Sequence, residues 1–131
     1  MARSRADVRD WALAYIDAQE SSQRVDIDHP LWWSIGRTQR LTTSDDVEDI
    51  WAFILEVLSR SKSERVVGMV SAGPMEDLIH YWGEHFIERI EATARCNPDF
   101  RKMLRGVWES GTPDIWRRIL AVREEGGENG P

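Results

Sequence analysis

The chain has 131 residues, 41% of them hydrophobic and 31% charged, with a formal net charge of −6 and a pI of about 5.1. This length is enough for one domain with its own core and too short for two ordinary ones. The negative charge argues against nucleic acid as the main partner and suits a basic protein. A single cysteine, Cys96, excludes an internal disulfide, and no apolar run resembles a signal peptide or membrane span, which together predict a cytoplasmic protein.

The first predicted helix lies at the amino-terminal end. Apolar residues recurring at helical spacing predict that it ends near Glu20. The residues of this stripe are Val8, Trp11, Ala12, Tyr15 and Ile16. Ser4 or Asp7 is the expected cap.

The segment from Ser21 to Thr43 is the least regular part of the chain. Pro30 is excluded from a helix interior but fits a first turn, so we expect a short helix from there to Gly36. Trp32 and Trp33 would then be apolar anchors beneath a long connection.

Two further helices are predicted from their acidic or capped starts. Ser44 opens the clearest helix, because an acidic first turn complements the helix dipole. Its expected buried stripe is Val47, Trp51, Ile54, Leu55 and Leu58. Ser61 and Glu64 have the spacing of a capping box, which predicts a new helix through Val70.

Proline and glycine mark the boundaries in the second half. We expect a break at Ala72-Gly73 with a helix starting at Pro74, and a break or kink at Gly83. Asn97-Pro98 and Thr112-Pro113 each predict a capped helix start. The segment 124–131 is rich in Gly and Glu and is expected to be a frayed tail.

The fold class that follows is all-α. The chain has no adequate run of alternating apolar residues, and an isolated strand would not be stable. We therefore expect one helical domain over residues 1–123, made of short stacked antiparallel helices. An irregular bundle and a small α-solenoid-like curl both fit this pattern.

The sequence contains seven tryptophans but only three phenylalanines and two tyrosines. Because so few other aromatic residues are available, most of the tryptophans are expected in the core. The rest are candidates for a binding surface, where tryptophan is enriched.

The segment from His80 to His85 is the only cluster of histidines. A zinc-protease helix needs two histidines four residues apart, whereas these are five apart and Gly83 lies between them. Cys96 lies at a helix end, where the dipole disfavours a thiolate, so a small core or flanking residue is expected there. We predict no metal, no cofactor and no catalytic residue from these patterns.

Four segments of the second half carry a family resemblance. They read AGPMEDLI at 72–79, GEHFIERIEA at 83–92, NPDFR at 97–101 and LRGVW at 104–108. Together they resemble an uncharacterised bacterial helical domain family with GAGPLEDL, GxxFIxRIEALA and DPxFRxALxGVW patterns. The resemblance covers about Trp51 to Arg123 and implies bacterial origin, but no activity. Family members are similar to small stand-alone proteins found among toxin-neutralising genes.

The motif has a structural and a functional interpretation. In the structural one, Gly73 permits a close approach or a positive φ, Pro74 begins a helix, and Glu76 and Asp77 complement its dipole, while Trp108 packs against neighbouring helices. In the functional one, Glu76, Asp77 and Trp108 line a shared groove.

The favoured function is a non-enzymatic protein-binding module, such as an immunity-type protein that neutralises a basic toxin or effector. Tryptophan anchors and carboxylates would supply contact and steering. The predicted partner-binding residues are Trp32, Trp33, Asp45, Asp46, Glu48 and Asp49.

Two other functions remain open from the sequence. One is a small-ligand-binding protein or hydrolase that uses a pocket around Glu76, Asp77, His80, Glu84 and His85. The other is an oligomerisation module, since the oligomeric state is not evident from the sequence.

Overall fold

The computed structural model describes residues 5–125, and these residues are all-α, with no strand among them. A 3₁₀ turn at Arg37–Gln39 follows α2, and a π-helical turn at Ser71–Met75 precedes α5. The α-helices are α1 (Arg5–Glu20), α2 (Trp32–Gly36), α3 (Ser44–Arg60), α4 (Glu64–Val70), α5 (Glu76–Cys96), α6 (Pro98–Leu104) and α7 (Pro113–Glu124). Backbone contacts divide the chain after Val70 into two compact units.

The first unit is built around α1, which contacts α2, α3 and α4. The indole of Trp11 stacks on Phe53 at 4.1 Å between ring centroids, and Tyr15 meets the same ring edge-on at 5.1 Å. Burial in this aromatic cluster raises the pKa of the Tyr15 phenol. The apolar stripe predicted for the first helix therefore does face a core, while its proposed cap Ser4 lies outside the described residues.

Helix α3 begins at Ser44 as predicted, and Thr43 is its cap. The Thr43 hydroxyl accepts a hydrogen bond from Asp46 N at 3.1 Å, and the Asp46 carboxylate accepts one from Thr43 N at 3.1 Å. This reciprocal pair is a capping box that satisfies two backbone donors at the helix start. The predicted stripe is buried except for Leu55, which is half-buried.

The capping box predicted from Ser61 and Glu64 is wrong. Ser61 is needed to end α3: its backbone is extended, and its N–H donates to Val57 O at 3.0 Å. The Ser63 hydroxyl instead accepts a hydrogen bond from Val66 N at 3.3 Å. The start of α4 is therefore two residues later than the spacing suggested.

The predicted break at Ala72-Gly73-Pro74 is also wrong. The chain passes through these residues as a π-helical turn that continues directly into α5, and Pro74 is buried inside it. Wider π-helical spacing can accommodate a proline that a regular helix interior would exclude. Met75 before α5 is helical too, so Glu76 and Asp77 do not face a free helix start as expected.

Gly73 does not have the role predicted for it. A Cβ built at Gly73 would meet nothing within 4 Å, so no close approach requires glycine there. Among the described residues, positive φ occurs at Gly111 alone, with a value of 79°.

The second unit places α6 and α7 against α5. Helix α5 is kinked at Trp82, whose φ of −134° and ψ of 24° are not helical, which confirms a break next to Gly83. Asn97 caps α6 and Thr112 caps α7, as the two proline motifs predicted.

Cys96, expected in the core or on its flank, is an exposed residue at the end of α5. Most of the predicted tail, 126–131, lies outside the described residues, and Glu124 is still helical. No helix within 5–125 has the length and apolarity to cross a membrane.

Candidate functional site

The tryptophans are distributed differently from the prediction that most lie in the core. Trp11 and Trp51 are buried, at 1% and 7% exposure. Trp33 is 46% exposed and Trp108 is 78% exposed. The other three, Trp32, Trp82 and Trp116, are half-buried. Trp33 keeps nearly half of its surface in water and Trp108 keeps most of it, so burial within this chain accounts for these two indoles only in part.

Helix α2 holds Trp33 on a firmly attached element. Ser34 is buried, its hydroxyl donates to Leu31 O at 2.7 Å, and its carbonyl oxygen accepts from the Trp11 indole N–H at 2.8 Å. The half-buried Trp32 lies over Gly36, where a Cβ would be 3.5 Å from its indole nitrogen. The short helix is thus anchored to α1 while the neighbouring Trp33 is presented to solvent.

Arginine side chains lie beside part of the predicted acidic cluster at the start of α3 and reduce its negative charge. Asp46 and Asp49 line a small cavity of about 20 Å³ together with Trp11, Arg37 and Arg40. The Asp46 carboxylate is also occupied in the capping box. Asp45 is exposed, whereas Glu48 and Asp49 are half-buried. The four carboxylates therefore do not form one uniform acidic face.

Arg37 is central to this region. Its guanidinium lies 3.9 Å from the ring centroid of Trp11 and donates a 2.8 Å hydrogen bond to Asp7. The cation–π contact and the ion pair together connect α1 to the segment after α2.

The loop between α6 and α7 presents Trp108, contrary to the prediction that this indole packs against helices. The neighbouring Val107 is buried in its place. Arg123 donates to Leu104 O at 3.3 Å and to Val107 O at 3.2 Å, and Ser110 Oγ donates to Trp108 O at 2.9 Å. Trp108 is therefore an exposed aromatic side chain on a loop that Arg123 of α7 holds at Leu104 and Val107 and that Ser110 braces internally.

The groove expected between Glu76, Asp77 and Trp108 does not coincide with the cavity at the kink of α5, since none of the three lines that cavity. Glu76 and Asp77 are half-buried in the first turn of α5. Burial raises the pKa of the Asp77 carboxyl, and the charge of His80 partly opposes that rise.

A cavity with a volume of about 300 Å³ lies at the kink of α5. We call it the kink cavity. It is lined by Ile79, His80, Tyr81, Trp82, Gly83, Glu84, His85, Gly111, Thr112 and Ile115. Of the five residues predicted to surround a pocket, His80, Glu84 and His85 line this cavity, whereas Glu76 and Asp77 do not.

Two glycines shape the walls of the kink cavity. A Cβ at Gly83 would lie 3.1 Å from Ile115 Cγ2, and one at Gly111 would lie 3.2 Å from Ile79 O. Gly111 also has positive φ, which disfavours any other residue. Sequence reasoning missed Gly111, although a glycine just before the Thr112 cap was its available signal.

The aromatic and imidazole rings of this region make edge-on contacts. Tyr81 meets His80 at 4.5 Å between centroids, and Trp82 meets His85 at 5.7 Å. Tyr81 is 64% exposed and Trp82 is half-buried, so the lining of the kink cavity includes one exposed ring and one partly covered ring. Across the part of the chain that the structure describes, no three His, Cys, Asp or Glu side chains are grouped as metal ligands would be.

The fold and these surfaces define a small all-α protein with exposed indoles on anchored elements and one cavity at a kinked helix. The chain belongs to DUF6869, a family of unknown function, whose pattern matches residues 20–127. This match confirms the resemblance to an uncharacterised family and extends it towards the amino terminus. No curated protein and no solved structure matches the chain.

Proposed function

We propose that this chain is a non-enzymatic protein-binding module whose contact surface includes the exposed tryptophans. The observation that carries the proposal is the 46% exposure of Trp33 on a helix whose neighbouring side chains anchor it to α1. An indole on a preorganised element loses little conformational entropy on binding and supplies a large apolar contact. Trp33 is therefore the first residue on which affinity is expected to depend.

The partner we propose is a basic protein. A net charge of −6 favours its encounter with a positively charged surface, and exposed Asp45 lies at the start of α3 in the same unit as Trp33. Arg37 and Arg40 line the same small cavity as Asp46 and Asp49, and their positive charge reduces what these two carboxylates contribute to this attraction. Steering is thus assigned to Asp45 and the overall charge, with Glu48 as a secondary contributor.

The biological form that we propose is an immunity-type interaction. A cytoplasmic bacterial protein of this kind would bind and neutralise a basic toxin or effector encoded beside it. Trp108, at 78% exposure on its fastened loop, is a second anchor candidate.

The test is calorimetric titration of the full chain with the purified basic product of a neighbouring gene. Trp33→Ala is expected to weaken binding by about 2 kcal/mol or more, the size typical of a hot spot. Trp108→Ala measures the second anchor in the same way.

Met69→Ala is the matched control, because Met69 is a similarly exposed apolar side chain, at 43%, on α4. Circular dichroism of each variant establishes that it is folded. The proposal fails if the neighbouring products do not bind, or if both tryptophan variants bind as tightly as the Met69 variant does.

A further inference from the structure

We propose that the kink cavity is a binding site for an organic cation, either an alkylguanidinium or an alkylammonium group. Its volume of about 300 Å³ is at the lower end of the usual range for ligand pockets, roughly 300–1,000 Å³. A cavity of this size admits a small charged head group with a short alkyl stem. A dinucleotide or a large cofactor would exceed it.

The charges of the lining favour a cation. Glu84 is an exposed carboxylate at the cavity, and no lysine or arginine is among the lining residues. A guanidinium or ammonium N–H can donate a charge-assisted hydrogen bond to that carboxylate. An anionic ligand would meet the negative charge of Glu84 there, with no lysine or arginine in the lining to compensate it.

The aromatic lining is suited to the same ligand. Tyr81 and Trp82 are adjacent in the kinked turn, so a phenol and an indole border the cavity beside Glu84. The faces of such rings attract cations, most strongly those of indole. The Thr112 hydroxyl is an additional hydrogen-bond acceptor in the lining.

The cavity is preformed because its walls are determined by backbone geometry. The kink at Trp82 turns the lining residues of α5, and the Gly111 loop packs against Ile79 with no room for a side chain. Ile115 closes the wall between them by its close contact with Gly83. A ligand would therefore enter without the cost of ordering the site.

Two kinds of ligand carry such a cation. One is a free amine or guanidine, and the other is a basic side chain of a partner protein. The site does not depend on the proposed function, because a free molecule would occupy it equally well. Agmatine represents the first source, and a short peptide with one arginine represents the second. The same peptide with citrulline in place of arginine keeps the shape and removes the charge.

The experiment is an NMR titration of the isotope-labelled full chain with each probe. We expect saturable shifts of the Trp82 indole N–H and of backbone amides in 79–85 and 111–112. Glu84→Gln is expected to weaken binding by about tenfold, the effect of losing one charge-assisted hydrogen bond. Glu88→Gln, one turn further along α5 and outside the lining, is the matched control.

The results distinguish a free ligand from a partner side chain, and they distinguish this proposal from the proposed protein-binding function. Tighter binding of agmatine supports a free ligand, and tighter binding of the arginine peptide supports a partner side chain. The proposal is overturned if neither cation gives saturable shifts at millimolar concentration, if the citrulline peptide binds as well, or if both glutamate variants behave alike. Trp33→Ala is expected to leave these titrations unchanged, so failure of the protein-binding proposal would not affect this result.

Discussion

At the scale of single residues, two tryptophans show how differently one residue type is used in this chain. Trp11 is stacked on Phe53, donates a buried hydrogen bond and carries the guanidinium of Arg37 on its ring. Trp108 has most of its surface in water. The first contributes to folding, and the second is available for recognition.

Trp11→Ala is therefore expected to lower the free energy of unfolding by about 3–5 kcal/mol, the usual cost of removing a large aromatic side chain from a core. Trp108→Ala should change it by about 0.5 kcal/mol or less, as most surface substitutions do. Urea unfolding followed by far-ultraviolet circular dichroism measures both. Similar losses in the two variants would contradict the assignment of core and surface indoles.

A second residue-scale prediction concerns Glu91 on α5 and Arg118 on α7. The guanidinium donates two hydrogen bonds to the carboxylate, at 2.6 and 2.8 Å, and these hydrogen bonds lower the pKa of Glu91. Because the pKa of Glu91 is lower in the folded protein than in the unfolded chain, the ionised carboxylate stabilises the fold at any pH above its unfolded pKa of about 4.3. This stabilisation is lost as the pH falls through the folded-state pKa.

Glu91→Gln should accordingly destabilise the protein at pH 7, and the difference from the unmodified chain should shrink as the pH is lowered below about 4. Urea unfolding across this pH range provides the measurement. Glu109→Gln, an exposed loop substitution, is the control. If the difference in unfolding free energy between the two proteins grows as the pH is lowered, the predicted direction of the pH dependence is wrong.

At the scale of elements, the glycines show what local backbone geometry requires. Gly111 has positive φ and lies against Ile79, whereas a Cβ at Gly68 in α4 would meet nothing within 4 Å. The same substitution should therefore have opposite effects at these two positions.

Gly111→Ala is expected to destabilise the chain by about 1–3 kcal/mol, from left-handed backbone strain and the contact with Ile79. Gly68→Ala should stabilise it by about 0.5–1 kcal/mol, because alanine loses less backbone entropy in a helix. Thermal and urea unfolding of both variants are the measurements. A stable Gly111→Ala variant would contradict the wall geometry of the kink cavity.

At the scale of the whole molecule, the net charge of −6 predicts how association responds to salt. Binding of a basic partner should weaken by about tenfold when ionic strength rises from low to above-physiological values, mainly through a slower association rate. The loss caused by Trp33→Ala should persist at high salt, because apolar contact is not screened. Association that does not respond to salt would contradict steering by the acidic charge.

The helical class and most helix starts were predictable from the sequence. Apolar spacing identified the buried faces of α1 and α3, and Asn97-Pro98 and Thr112-Pro113 identified two capped starts. These signals are local, since a cap or a stripe involves residues within one or two turns. Membership of an uncharacterised family was also predicted from the sequence, and a family of unknown function matches residues 20–127.

The tertiary structure alone decided where the tryptophans, Gly73 and the acidic residues act. Packing between distant parts of the chain leaves Trp33 and Trp108 exposed and places arginines beside Asp46 and Asp49. The π-helical turn through Pro74 depends on a backbone spacing that composition does not encode. The same holds for the kink cavity, where Gly111 meets residues of α5 some thirty positions earlier. Local sequence determines which elements form, whereas packing between them determines which side chains are left to bind.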